Sequence, residues 1–173
     1  MQGHLVVEVG AGTGLLGMAC KRLGARRVLL TDNDEISLRH MEADAPRNGF
    51  TTEDMCVSRL DWFSRDSVEK CIASEDLSGL RVVAGDVLYK SCLLEPFMRT
   101  VQRLLSEASG AEMLLCHVPR AGVTHERVAE AAAAAGLAAQ ELPVGSWRKG
   151  AVLQHCPPED AQSARLYRIL VCM

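Results

Sequence analysis

Leu5-Val6-Val7-Glu8-Val9-Gly10-Ala11-Gly12-Thr13-Gly14-Leu15-Leu16-Gly17, continued by Val28-Leu29-Leu30-Thr31-Asp32-Asn33-Asp34, decides how this chain folds. The run Leu5 to Val9 is short, apolar and rich in β-branched residues, as a central parallel strand buried on both faces should be. Gly10, Gly12 and Gly14 let the backbone turn sharply and approach a ligand with no Cβ in the way. Leu15, Leu16, Ala19, Cys20 and Leu23 recur at helical spacing, so a helix follows, and Gly24 is suited to stop it. Val28 to Leu30 make a second buried strand. Asp32 and Asn33 stand at its tip, where a carboxylate can take both hydroxyls of a ribose. Strand, glycine turn, helix, strand and terminal acid make half of a nucleotide-binding βαβ unit.

The glycine spacing separates two ligand classes. The dinucleotide fingerprint G-x-G-x-x-G needs a third glycine where this chain has Leu15. Glu8, two residues before the first glycine, is a poor neighbour for a pyrophosphate and suits a ligand with an ammonium or sulfonium charge. The E-x-G-x-G-x-G pattern resembles motif I of the class I S-adenosylmethionine-dependent methyltransferases.

The 173 residues are 48% hydrophobic, enough for one domain with a sizeable core, read here as a single domain over 1–173. The formal net charge is -3. No basic block or aromatic-basic interleaving is present, so charge does not support a nucleic-acid partner. Lys21-Arg22 and Arg26-Arg27 bracket the end of the first helix, where cations complement its dipole. The seven cysteines are scattered, odd in number and free of C-x-x-C, which favours a reducing compartment, the cytoplasm with the nucleus as an extension. Cys116-His117 and His155-Cys156 place metal-binding types side by side, but neighbours on a strand point to opposite faces, and no metal site is expected. No apolar run has bilayer length and no signal-peptide pattern is read, so no membrane partner is expected.

Along the rest of the chain, Glu35 to Ala45 reads as a helix capped by Asp34 and ended by Pro46-Arg47-Asn48-Gly49. Met55 to Leu60 is a third strand, Ser64 to Ala73 a short helix, and Leu80 to Ala84 a fourth strand. Leu93, Leu94, Phe97, Met98, Val101, Leu104 and Leu105 give the clearest amphipathic helix. Glu112 to Val118 is the fifth strand, and an alanine-rich helix runs from Thr124 to Ala135 before Gly136. Leu137 to Val144 and Arg165 to Cys172 are the last two β segments, with Gly145 to Ser163 as a loop. Five βα units followed by two strands predict an α/β fold: a Rossmann-like, doubly wound, seven-stranded, mostly parallel sheet closed by a hairpin that leaves one edge strand antiparallel.

Ligands of such sheets sit beyond the carboxyl ends of the strands. Glu8, Gly10, Gly12, Gly14, Asp32, Asn33, Asp61, Trp62 and Asp86 are therefore the residues to read. The glycine turn admits the amino-acid part of the cofactor, Asp32 the ribose, Asp61 the adenine amino group, and Trp62 offers a ring face. Singly, an Asp at a strand end is a cap or turn former and a Trp is core; the case rests on their order and spacing.

Leu60-Asp61-Trp62 and Asp86-Val87-Leu88-Tyr89, behind the glycine turn, resemble the seven-β-strand protein lysine methyltransferases of methyltransferase family 16, where L-D-W follows the third strand and D-x-x-Y the fourth. The resemblance implies the class I methyltransferase fold, S-adenosyl-L-methionine as cofactor, cofactor contacts at Glu8, Gly10, Gly12, Gly14, Asp32, Asp61 and Trp62, and Asp86 and Tyr89 facing a lysine side chain of a protein substrate. Amino-methyltransferases of nucleic-acid bases often carry N-P-P-Y there, a motif this chain does not have. Two departures stand out: Phe63 follows the Trp where a glycine is usual, and the family's N-terminal helical segment is not found ahead of Leu5. The expected activity is in-line methyl transfer to a neutral lysine amine, with Asp86 orienting the acceptor and Tyr89 walling its channel. Other acceptors (arginine, histidine, a small amine), a non-catalytic binding module and a nucleotide-dependent oxidoreductase are the rival readings. The oligomeric state is not legible.

Overall fold

In a computed structural model, which describes residues 1–147 and 158–172, the chain forms one seven-stranded sheet in the order β3-β2-β1-β4-β5-β7-β6. The strands are β1 (Leu5–Val9), β2 (Arg27–Asp32), β3 (Met55–Arg59), β4 (Leu80–Gly85), β5 (Glu112–His117), β6 (Leu137–Glu141) and β7 (Arg165–Val171). The helices are α1 (Leu15–Arg22), α2 (Glu35–Arg47), α3 (Arg65–Ala73), α4 (Leu94–Leu105), α5 (His125–Ala134), and the short α6 (Val144–Trp147) and α7 (Pro158–Ser163).

The apolar run of β1 is buried along its whole length, and its period of two divides the core. Leu5, Val7 and Val9 join Val68 and Cys71 of α3, Phe97 and Val101 of α4, and Val128 of α5. Val6 joins Met18 and Cys20 of α1 and Met41 of α2 on the other face. Side-chain caps start three helices: Asp34 accepts from Ser37 N at 2.8 Å, Ser64 from Ser67 N at 3.3 Å, and Thr124 from Arg127 N at 3.3 Å.

Four local expectations are corrected. The antiparallel strand is β7, which pairs with β5 on one side and β6 on the other, so it lies one place in from the edge and β6 is the edge strand. Pro46 lies within the last turn of α2 instead of ending it. The stretch read as a loop from Gly145 to Ser163 carries α6 and α7 at its ends, and His155-Cys156 falls outside the described residues. The apolar row expected of α1 divides: Leu15, Leu16 and, just past the helix, Leu23 face outward, Leu15 73% and Leu23 71% exposed, while Cys20 turns to the sheet with Gly17 and Met18. Gly17 lets this helix lie close to β1 and β2. Among the described residues no helix is long and apolar enough to cross a membrane.

Candidate active site

The first strand-to-helix turn is built from three glycines in the left-handed region, Gly10 (φ 72°), Gly12 (φ 55°) and Gly14 (φ 74°). Each is small for a different reason. A Cβ on Gly10 would stand 2.8 Å from Val87 Cγ1 and 3.1 Å from Trp62 Cζ2. A Cβ on Gly14 would stand 2.9 Å from Leu30 Cδ1, so Gly14 serves packing against α2 and β2. Gly12 meets nothing within 4 Å and opens onto a cleft.

That cleft, about 570 Å³, lies beyond the carboxyl ends of β1 to β4. It brings together Gly10, Gly12, Asp32, Asn33, Asp61, Trp62, Asp86 and Tyr89, eight of the ten residues the sequence singles out. Glu8 and Gly14 do not line it. Glu8 shares the α1 face of β1 with Val6 and lines an adjoining hollow with Thr13, Leu15 and Leu16, and Gly10 and Gly85 border both hollows. Gly14 lines neither hollow.

Asp32 is oriented by the backbone: Oδ2 accepts from Gly12 N at 2.8 Å and Oδ1 from Asp34 N at 3.0 Å, which leaves each oxygen a further lone pair. Asn33 Oδ1 accepts from Arg59 Nε at 2.9 Å. Asp61 folds over its own chain, Oδ1 accepting from Phe63 N at 2.9 Å. Trp62 serves core and cleft at once, its ring edge-on to Phe97 at 5.0 Å and its rim against Gly10. In Asp86-Val87-Leu88-Tyr89 the two apolar residues are buried in the core, and the acid and the half-exposed tyrosine remain on the cleft wall.

The structure adds residues the sequence reading missed. Asp34, Ser37, Val87, Leu93 and Phe63 also line the cleft, Phe63 being 64% exposed at its rim. Arg120, three residues past β5, forms an ion pair with Asp86 Oδ2. Its place beyond a strand's carboxyl end was the available signal. Burial pushes the Asp86 carboxyl above its ordinary value, more than the facing Arg120 guanidinium lowers it. Gly17 was the larger omission. Its N–H donates to Glu8 Oε2 at 2.7 Å, and a Cβ there would stand 2.7 Å from that same oxygen.

Glu8 is only 4% exposed, and burial pushes its carboxyl from 4.5 up to about 7, against the Gly17 N–H, with Asp32 adding to the rise. A raised carboxyl holds its proton better folded than unfolded. Its contribution to stability is therefore present below about pH 4.5 and is lost as pH climbs to about 7. Glu8→Gln is expected to leave stability unchanged near pH 4 and to raise it well above pH 7 by about 3 kcal/mol, close to the full linkage for a shift from 4.5 to about 7. Urea melts at the two pH values measure this; equal effects at both would contradict it.

A family model described as lysine methyltransferase matches residues 1–130. Ribosomal lysine N-methyltransferase 5 of Lachancea thermotolerans is 29% identical over 136 residues, covering 62% of this chain and 40% of that protein. Ribosomal protein L11 methyltransferase of Myxococcus xanthus is 46% identical over 56 residues, covering 32% of this chain and 19% of that protein. The chain thus spans less than half the length of these curated relatives. Among solved structures, a TehB-like SAM-dependent methyltransferase from Corynebacterium glutamicum superposes with a TM-score of 0.66 at 18% identity, covering 100% of this chain and 82% of that one. Magnesium protoporphyrin IX methyltransferase from Synechocystis, solved with bound SAM, gives 0.63 at 16% identity, covering 98% of this chain and 71% of that one. At these identities the likeness is one of fold.

Proposed function

The chain belongs to the lysine methyltransferase family whose model spans residues 1–130, and from that membership we propose that it transfers a methyl group from S-adenosyl-L-methionine to a lysine side chain of a protein. The observation that carries this reading is the meeting of Gly10, Gly12, Asp32, Asp61, Trp62 and Asp86 on one acidic cleft. A cationic cofactor and a cationic acceptor both find complementary charge there.

The residues present fit the cofactor. Gly12 leaves the turn open where a side chain would otherwise enter, and Asp32 keeps lone pairs for ribose hydroxyls. Asp61 and Trp62 would hold the adenine, one by hydrogen bonding and one by its ring. Glu8, in the hollow that meets the cleft at Gly10 and Gly85, would face the amino-acid part. When bound, the cofactor supplies an electrophilic methyl group on a sulfonium. The chain's own task is positioning: a lysine lone pair, the methyl carbon and the sulfur must fall in line. A lysine is an ammonium at neutral pH and must first lose a proton. Asp86 would receive that ammonium in exchange for Arg120 and orient it, with Tyr89 as the channel wall. The scattered thiols keep the cytoplasm as the proposed setting.

Calorimetry with S-adenosylhomocysteine tests the cofactor half, and absence of binding at high micromolar ligand would favour a non-catalytic module. Asp32→Ala is expected to weaken that binding by about 1.5–3 kcal/mol, the worth of hydrogen bonds to a charged group. Peptides with lysine replaced by arginine test the acceptor half, and product on the arginine version would sink the lysine assignment.

A further inference from the structure

His117 ends β5 and is fully buried. Its Nε2–H donates to Val123 O at 3.2 Å, so in the neutral ring Nδ1 carries the lone pair. Nδ1 is buried and has no hydrogen-bond partner among the described residues, and Asp86 Oδ1 is in the same position. The two side chains start from adjoining backbone: Asp86 N–H donates to Cys116 O at 2.8 Å, one residue before His117. Asp86 is also held at φ 58°, a left-handed conformation that costs a non-glycine residue about 1–3 kcal/mol. Each feels the other's charge: the carboxylate favours the imidazolium, and the imidazolium favours the carboxylate. Two buried acceptors with no donor are unfavourable, at roughly 1–3 kcal/mol apiece. A proton on Nδ1 would give the imidazole a donor on the side where the Asp86 charge already acts on it.

We propose that His117 is the positioning residue for Asp86: neutral, it leaves the carboxylate to the acceptor; protonated, it donates Nδ1–H to Oδ1 and withdraws that carboxylate from the acceptor ammonium. This rests on reading Asp86 as the acceptor-facing acid. The proton comes from solvent, a hydronium giving water and an imidazolium, and one N–H···O bond forms. Among the described residues, the other groups acting on the pair lie on three elements around it. Arg120 holds Asp86 Oδ2, and Asp160 of α7 adds negative charge towards Asp86. His125 of α5 stands edge-on to His117 at 5.3 Å, its own tautomer set by Ser163 O, which accepts from Nε2 at 2.9 Å, and by Tyr167 of β7, whose hydroxyl donates to Nδ1 at 2.9 Å. Burial holds His117 below the ordinary histidine value, so the released state is the working one at neutral pH.

The test uses the whole chain, histidine-labelled with nitrogen-15, in excess S-adenosylhomocysteine, with n-butylammonium as the lysine-head probe. Two-bond proton–nitrogen spectra are expected to show neutral His117 as the Nε2–H tautomer. Asp86→Asn is expected to move its titration midpoint down by about half a unit or more, with cofactor-product affinity changed less than about twofold. Affinity for n-butylammonium is expected to fall about tenfold per pH unit below the His117 midpoint, the slope of one linked proton, and His117→Leu is expected to abolish that fall. An Nδ1–H tautomer, a midpoint indifferent to Asp86→Asn, or an unchanged pH dependence in His117→Leu overturns the proposal. Failure of the underlying reading looks different: no S-adenosylhomocysteine binding, no n-butylammonium binding, or equal n-butylammonium binding by Asp86→Asn at high pH, with the tautomer and coupling intact. Should His117→Leu not fold, the wild-type tautomer and the Asp86→Asn shift decide alone.

Discussion

Gly17→Val is expected to lower stability by roughly 3 kcal/mol or more and the melting temperature by about 6–12 °C. A Cβ at this position would lie 2.3 Å from Leu30 Cδ2, 2.7 Å from Glu8 Oε2 and 3.0 Å from Val28 Cγ1. All three neighbours are on buried strands, so none can swing into solvent. Alanine would regain about 1 kcal/mol of helix propensity against that crowding, which makes it an ambiguous probe. Valine adds two more carbons and a branched Cβ to the same gap, and overpacking of a core has no such offset. The Gly17 N–H that satisfies Glu8 would shift with the helix, leaving a buried carboxyl without its donor. Gly12 is the control: nothing stands within 4 Å of its Cβ position, so Gly12→Ala meets backbone strain alone, from φ 55°. Thermal melts of the two variants check this. A Gly17→Val protein that melts with the wild type would mean that α1 rides farther from the sheet.

The contrast between Gly17 and Leu15 explains what could be read beforehand. The strands declared themselves because a run such as Leu5–Val9 is buried on both faces and apolar at nearly every position. The amphipathic α4 did so because its apolar spacing matches the buried face that carries Phe97, Val101 and Leu104. For α1 the same periodicity misled in part, since Gly17 turns to the sheet with Met18 and Cys20, and a scan for leucines finds the outer face. Eight cleft residues were legible because the carboxyl ends of parallel strands converge by topology. Glu8 lines the adjoining hollow and not the cleft because alternation along β1 puts it beneath α1 with Val6, which its place two residues before Gly10 does not report. Arg120 and His117 come from the end of β5, 34 and 31 positions beyond the acid they meet, and no local pattern reports that encounter. The insertion of β7 between β5 and β6 is likewise a fact of tertiary pairing, invisible to strand-by-strand reading.

Asp86→Asn is expected to cut methyl transfer by about 10²–10³-fold, the scale for losing one preorganised electrostatic contact, while S-adenosylhomocysteine affinity stays within about twofold. The substitution keeps the shape of the side chain, and Val87 and Leu88 keep their places in the core, so the wall of the cleft should survive. Asparagine tolerates the left-handed backbone at φ 58° as readily as aspartate, which removes strain as a confounder. What is lost is the negative charge. In the wild type Oδ2 is already paired with Arg120, so an incoming ammonium trades one cation for another and sheds its water at small electrostatic cost. In the variant Arg120 has no carboxylate to leave and the ammonium none to meet, so both the proposed capture of lysine and its orientation are expected to suffer. Asp32→Ala should show the reverse pattern, with the loss in cofactor binding. The pair of measurements separates the two ends of the cleft: equal losses of cofactor affinity and turnover in Asp86→Asn would place this acid on the cofactor, and undiminished turnover would remove it from the reaction.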